Sequence, residues 1–120
     1  MSVAEREAAD TLARSCDWLA ALATQRLYVE QPDLERLGAN GRARVLEDFG
    51  HHFRALASLD TPLFLAHSSY CYGLFAHRGF PRHWLDDAWR IMRVTVLEQF
   101  DDKVSDPVIR LLDQVPKLET

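Results

Sequence analysis

Cysteine is scarce in this chain: of its 120 residues only Cys16 and Cys71 carry a thiol. They lie far apart and outside any CxxC pair, so a disulfide-rich extracellular framework is not expected. Reduced thiols in a cytoplasmic protein are. Long apolar runs are missing as well. No window approaches the roughly 20 apolar residues that a bilayer-spanning helix needs, so a membrane partner is not expected. The opening MSVAEREAADTLARSCDWLAALA carries acids and lacks the continuous apolar core of a signal peptide. Basic excess is absent too. A formal net charge of -4 argues against a nucleic-acid partner, which usually demands a basic domain or stripe. There is no glycine-rich phosphate loop, since the GANG segment lacks the lysine and the preceding strand of a P-loop. No nucleophile, base and orienting group recur in a recognisable trio, so nothing specific points to an enzyme.

What is present is helical periodicity. The length allows one compact domain over residues 1–120, able to bury about two thirds of its extended-chain surface. A hydrophobic share of 48% makes disorder an unneeded explanation. Alternating strand patterns, repeats and linkers are absent, and apolar residues recur at helical spacing almost throughout. A first helix is expected over 4–28, with Leu12, Cys16, Leu19, Ala23 and Leu27 on one stripe and Arg6, Arg14 and Asp17 outside. Pro32 ends it, because proline disfavours helical geometry in the residue before it. The segment 33–37 suits a single turn closed by Gly38. Asn40 is an N-cap candidate for a second helix over 41–58. Thr61 and Pro62 open a third, running to about 78, with Gly79 as its left-handed C-terminal residue. Pro81 opens a fourth, to about 99, on a stripe of Leu85, Trp89, Met92 and Val96. Asp106 and Pro107 open a short last helix that ends before Pro116. The fold class is all-α, with about five helices.

The second helix carries the most chemistry. It has to bury Val45, Leu46, Phe49 and Phe53 while carrying Arg44, Asp48, His51 and His52. Residues three or four apart are neighbours on a helix, so Asp48 adjoins Arg44, His51 and His52. A carboxylate at the edge of the apolar seam can accept hydrogen bonds from the N–H groups of a heterocycle, and the charge strengthens them. A histidine beside it can donate to a carbonyl or propionate, or ligate a metal as neutral imidazole. Alternatively Asp48 simply pairs with Arg44 or His52 on a solvated face, which contributes under ~1 kcal/mol. On the third helix His67, Tyr70 and Leu74 share a stripe, so His67 can face the same interior as His52. Two histidines on facing helices are one way to hold haem. A hydrogen-bonded core histidine is the plainer use. A metal site is not expected, since the histidines lack HExxH spacing and no cysteine pair accompanies them. Cys71 reads as a small hydrophobe. Trp84, just inside a helix start, suits a lid over a flat ligand.

The run Val45-Leu46-Glu47-Asp48-Phe49-Gly50-His51-His52-Phe53-Arg54 resembles the chromophore helix of phycobiliproteins, where Cys-Leu-Arg-Asp is followed by two variable residues and Tyr-Tyr-Leu-Arg. Leu27-Tyr28 with Pro32 upstream, and Leu74-Phe75 with Arg78-Gly79-Phe80-Pro81 downstream, extend the likeness over residues 10–97. Val45 stands where the family carries its chromophore-bearing cysteine, which excludes a thioether there. Glu47 replaces an arginine that meets a bilin propionate, whereas Asp48 matches the carboxylate that holds the central pyrrole nitrogens. The chain is more similar to the phycobiliprotein-like globins of bacteria, meaning bilin biosynthesis-associated globins and the helical domains found upstream of cobalamin-binding domains. That resemblance implies a globin-like, phycocyanin-like bundle that binds a bilin such as phycocyanobilin or biliverdin without a covalent bond. Asp48, His51, His52 and Arg44 are then the contacts. A bilin-synthesising reductase or a cobalamin-binding protein is the implied partner, and a homodimer through the first helix is expected. A pigment-free sensor or interaction module, and haem held through His52 or His67, are the other readings.

Overall fold

Capping and periodicity place each helix. The computed structural model describes residues 1–115, and those residues form α1 (Val3–Glu30), a 3-10 turn (Pro32–Leu37), α2 (Gly38–Ala57), α3 (Thr61–His77), α4 (Arg82–Gln99) and α5 (Asp102–Leu112). No strand occurs among them. Pro116, the expected boundary of the last helix, lies outside the described residues.

A capping box starts α1. The Ser2 hydroxyl accepts from the Glu5 amide, and the Glu5 carboxylate reaches back to the Ser2 amide. Ala8, Leu12, Cys16, Leu19, Ala20 and Ala23 make its buried stripe, while Leu27 is only partly covered. The stripe is used up inside the chain, because α1 packs on α2 most extensively and also on α4 and α5. Val3, Trp18 and Val29 are large apolar side chains of α1 that stay exposed, at 72%, 50% and 76%.

Three helix starts differ from those expected. The second helix begins at Gly38, with Asn40 inside it, because the 3-10 turn runs directly into α2 through the positive φ of 72° at Gly38. The third is capped by Asp60, whose carboxylate accepts from the Leu63 amide at 3.0 Å, and Thr61 becomes the first helical residue. A charged acceptor one residue earlier takes the role the Thr61 hydroxyl was expected to fill. Asp101 caps the last helix by accepting from the Lys103 amide at 3.1 Å, which leaves Pro107 inside α5 rather than at its start. Gly79 takes the left-handed φ of 72° after α3, as its position suggested. Leu59, between α2 and α3, also has a positive φ, of 49°. A leucine there costs about 1–2 kcal/mol, offset by the packing of its side chain against the core.

Phe49, Phe53, Leu56, Phe64, Leu85, Trp89, Ile91, Met92, Val96 and Val108 form the centre. Exposed ion pairs lace the outside: Arg26 with Glu98, Arg90 with Glu30 at 3.1 Å, and Arg93 with Asp113 at 3.0 Å. Each contributes well under ~1 kcal/mol. The radius of gyration, 14.1 Å, matches the roughly 14 Å of a well-packed chain this long.

Two side chains miss the interior that the periodicity assigned them. Leu46 lies on the inward stripe of α2 yet stays 42% exposed. It borders a hollow of about 200 Å³ between α1 and α2, where Asp17 and Ala20 are too polar or too small to cover it. Tyr70 is 68% exposed. The inward direction of α3 is set by Phe64, Ser68 and Cys71, and at 100° per residue Tyr70 sits about 120° away from Phe64.

Candidate functional site

The inward face of α2 is anchored by Phe49, Phe53 and Leu56, and His52 stands on the adjoining stripe, toward α3 and α4. On α3 the spacing of four brings His67 and Cys71 onto one side. The helices deliver these side chains to one place. His52 Nδ1 lies 2.9 Å from His67 Nε2, and Cys71 Sγ lies 3.6 Å from the same His67 nitrogen. Trp89 of α4 covers the His52 ring at 4.7 Å between centroids, and Phe64 stacks on His67 at 6.3 Å. His52 and Cys71 are buried, and His67 is half-buried.

Trp89 is itself held in place. Its indole Nε1–H donates to the Tyr72 hydroxyl at 3.1 Å, and that hydroxyl donates to the Asp86 carboxylate. The Arg82 guanidinium lies over the Tyr72 ring, 4.4 Å from its centroid. Burial, followed by the bond to Asp86, drives the Tyr72 pKa above the usual phenol range, so it stays a neutral donor.

Burial decides the protonation of the cluster. It holds His52 down to about 3, with the neighbouring His67 and His51 adding to the effect. His67 is lowered by burial and then by His51. The two imidazoles are therefore neutral near pH 7, one donating its N–H to the other's lone pair. Burial and then the Asp48 carboxylate push the Cys71 thiol up to about 11, so it is protonated. Asp48 is half-buried and its pKa is raised: burial outweighs Arg44, Glu47 raises it further, and His51 and Arg78 pull it down.

Asp48 accepts no hydrogen bond among the described residues. The pairing with Arg44 or His52 on a solvated face is thus not formed as a contact. Arg44 is exposed and acts on Asp48 through its charge. His51 turns to solvent, 3.5 Å from Glu47 and 3.2 Å from Arg54, away from His52. Trp84 is 46% exposed and packs on Phe80 at 5.5 Å, apart from the histidines. Of the side chains singled out from the sequence, then, His52 and His67 come together, Asp48 acts on neighbouring Cys71 through its charge, and His51 and Trp84 lie elsewhere. Two hollows stand out, of about 200 and about 180 Å³. Neither is lined by Asp48, His52, His67 or Trp84.

Cys71 and Trp89 read as core side chains in the sequence and turn out to form walls of the site. The available signal was the four-residue step from His67 to Cys71, which puts an imidazole and a thiol on one helical face. Trp89 gave no such signal, since its place over His52 depends on how α4 crosses α2.

The chain matches no protein-family model, no curated protein and no solved structure.

The raised pKa of Asp48 has a consequence for stability. In the unfolded chain the carboxyl ionises near its ordinary value of 3.8, and in the fold it ionises later. Between those two values the unfolded state releases its proton first, so stability falls as pH rises and stays reduced above the folded value. Replacing Asp48 with asparagine is expected to raise the thermal midpoint at pH 7, with the gain shrinking as pH is lowered toward 4. A lower midpoint at pH 7 would show instead that the charge stabilises the fold.

Proposed function

We propose that the protein is a globin-like helical module that holds a bilin without a covalent bond along the α2–α3 edge. The observation that carries this reading is Asp48: a half-buried carboxylate that receives no hydrogen bond from the described protein, with the charges of Arg44 and Arg78 acting on it. The donors that Asp48 lacks within the protein are ones that a ligand with paired N–H groups supplies, and a charged acceptor makes such bonds strong. Arginines suit the propionates of the same ligand.

The size of the hollows sets the manner of binding. Drug-sized ligands occupy pockets of about 300–1,000 Å³. Neither hollow described above reaches that range, so the pigment lies open to solvent on one side rather than enclosed. Haem has less in its favour, because the facing nitrogens of His52 and His67 already bond each other under Trp89.

Adding biliverdin or phycocyanobilin to the purified protein is expected to shift the pigment's absorption and induce circular dichroism in its visible band. Asp48→Ala, folded by far-ultraviolet dichroism, is expected to weaken binding at least tenfold, since a hydrogen bond to a charged group contributes roughly 1.5–3 kcal/mol. Pigment that stays spectrally free and separates on gel filtration sinks the reading.

A pigment-free interaction module is the second reading. It is favoured by the exposed aromatics Tyr70, Phe80 and Trp84, at 68%, 40% and 46% exposure, and by the small hollows. Aromatic side chains of this kind are enriched in protein interfaces. A homodimer, a bilin-synthesising reductase or a cobalamin-binding protein would use such a surface, or the exposed Trp18 and Val29 of α1.

A further inference from the structure

We propose that His52, His67 and Cys71 form a three-ligand zinc site that bridges α2 and α3. The donor atoms of these three side chains all lie within 4.8 Å of one another. The site is independent of the bilin reading, which rests on Asp48.

Two of the three donor separations suit the ion, and the third, between His52 and Cys71, lies within 4.8 Å. With zinc–nitrogen bonds of about 2.0–2.1 Å and zinc–sulfur bonds of about 2.3 Å at tetrahedral angles, two nitrogens stand about 3.3 Å apart and nitrogen and sulfur about 3.6 Å. The protein already has 3.6 Å between Cys71 Sγ and His67 Nε2. His52 Nδ1 and His67 Nε2, at 2.9 Å, need to part by only a few tenths of an ångström. The rest of the polypeptide is set for this: Cys71 follows His67 by one helical turn, and the indole of Trp89, fixed by Tyr72, limits the swing of the His52 ring.

The donor types agree as well. Two imidazoles and one sulfur are the borderline ligands that zinc prefers, whereas magnesium and calcium seek oxygen. Both imidazoles are neutral, and the one that donates its facing N–H to the other shifts that proton to its second ring nitrogen, so that each turns a lone pair toward the ion. The thiol must lose its proton: Cys71 S–H and Zn²⁺ give a zinc–thiolate bond and one H⁺ released to solvent. His67 is half-buried, which gives the ion a route in. Three protein ligands leave a fourth position for water, as in zinc sites that bind or turn over a small molecule.

The test uses full-length protein stripped of metal with a chelator and titrated with Co²⁺ as the spectroscopic probe. One equivalent is expected to produce a thiolate-to-cobalt band in the near ultraviolet and the intense visible bands of a tetrahedral ion, both erased by one equivalent of Zn²⁺. Cys71→Ser should abolish the near-ultraviolet band, His67→Gln should weaken binding at least tenfold, and Cys16→Ser should leave the spectrum unchanged. In the Cys16→Ser protein, Zn²⁺ should also slow the reaction of Cys71 with a thiol reagent at least tenfold, a readout that does not depend on whether Cys71→Ser folds. The proposal is overturned if no thiolate band forms, if it survives in Cys71→Ser, or if Zn²⁺ leaves Cys71 labelling unchanged. Unchanged Zn²⁺ binding in Cys71→Ser would assign the ion to exposed histidines such as His51, His77 and His83 and would equally overturn it. Asp48→Ala separates the two ideas: it removes pigment binding and leaves the cobalt–thiolate band in place.

Discussion

Phe53→Ala is expected to cost about 3–5 kcal/mol of folding stability, the usual range for deleting a fully buried aromatic ring. Phe53 is 0% exposed and belongs to the central cluster, on α2, the helix that makes the most extensive helix–helix contact in the fold with α1. Two effects add: the ring's transfer energy is lost, and a cavity stays behind because neighbours such as Leu56 and Phe64 relax only in part. A domain this size has roughly 5–15 kcal/mol in all, so one substitution removes a large part of it. Urea unfolding at neutral pH, with the midpoint compared at constant slope, measures the loss. Leu46→Ala, on the same stripe but bordering the α1–α2 hollow, should fall by a much smaller amount. A Phe53→Ala loss no greater than that of Leu46→Ala would mean that the α1–α2 seam is not the centre of the core.

Acid should unfold the metal-free protein well before its carboxylates are neutralised. His52 binds its proton near 6.5 in the unfolded chain and only at about 3 in the fold. Below 6.5 the unfolded state takes up a proton that the folded state refuses, so stability is intact above 6.5 and is lost as pH falls toward 3. Each pH unit within that window shifts the folding equilibrium by up to about tenfold per such histidine. The surroundings act in the same direction. His67 from α3 and His51 from the same helix add to the burial, with Trp89 from α4 closing the ring off from water. His67, also lowered by burial, adds to the effect. Chemical denaturation in the presence of chelator, repeated from pH 7.5 down to 4, should show the decline, and His52→Phe should flatten it. A wild-type curve as flat as that of His52→Phe would mean that the ring is open to water.

Much of the fold can be read along the chain. Leu12, Cys16, Leu19 and Ala23 on α1, and Leu85, Trp89, Met92 and Val96 on α4, are buried as their spacing indicated. The errors came where a neighbouring residue or a facing helix had the deciding influence. Asp60 outcompeted Thr61 as a cap, and Asp101 started α5 ahead of Pro107. Leu46 met only Asp17 and Ala20 across the gap, which no pattern within α2 reveals.

For the candidate site the division is sharper. That Asp48 and His52 share one side of α2, and His67 and Cys71 one side of α3, follows from helical repeat alone. Which of them meet does not. His52 joins His67 and Cys71 under Trp89, Asp48 stays at the edge without a donor, and His51 and Trp84 are carried elsewhere. A helix's own period fixes only the direction of each side chain about its axis. The approach and crossing of α2, α3 and α4 are set by packing between residues far apart in the chain, and that packing made a cluster of three donors from groups that sequence order keeps separate.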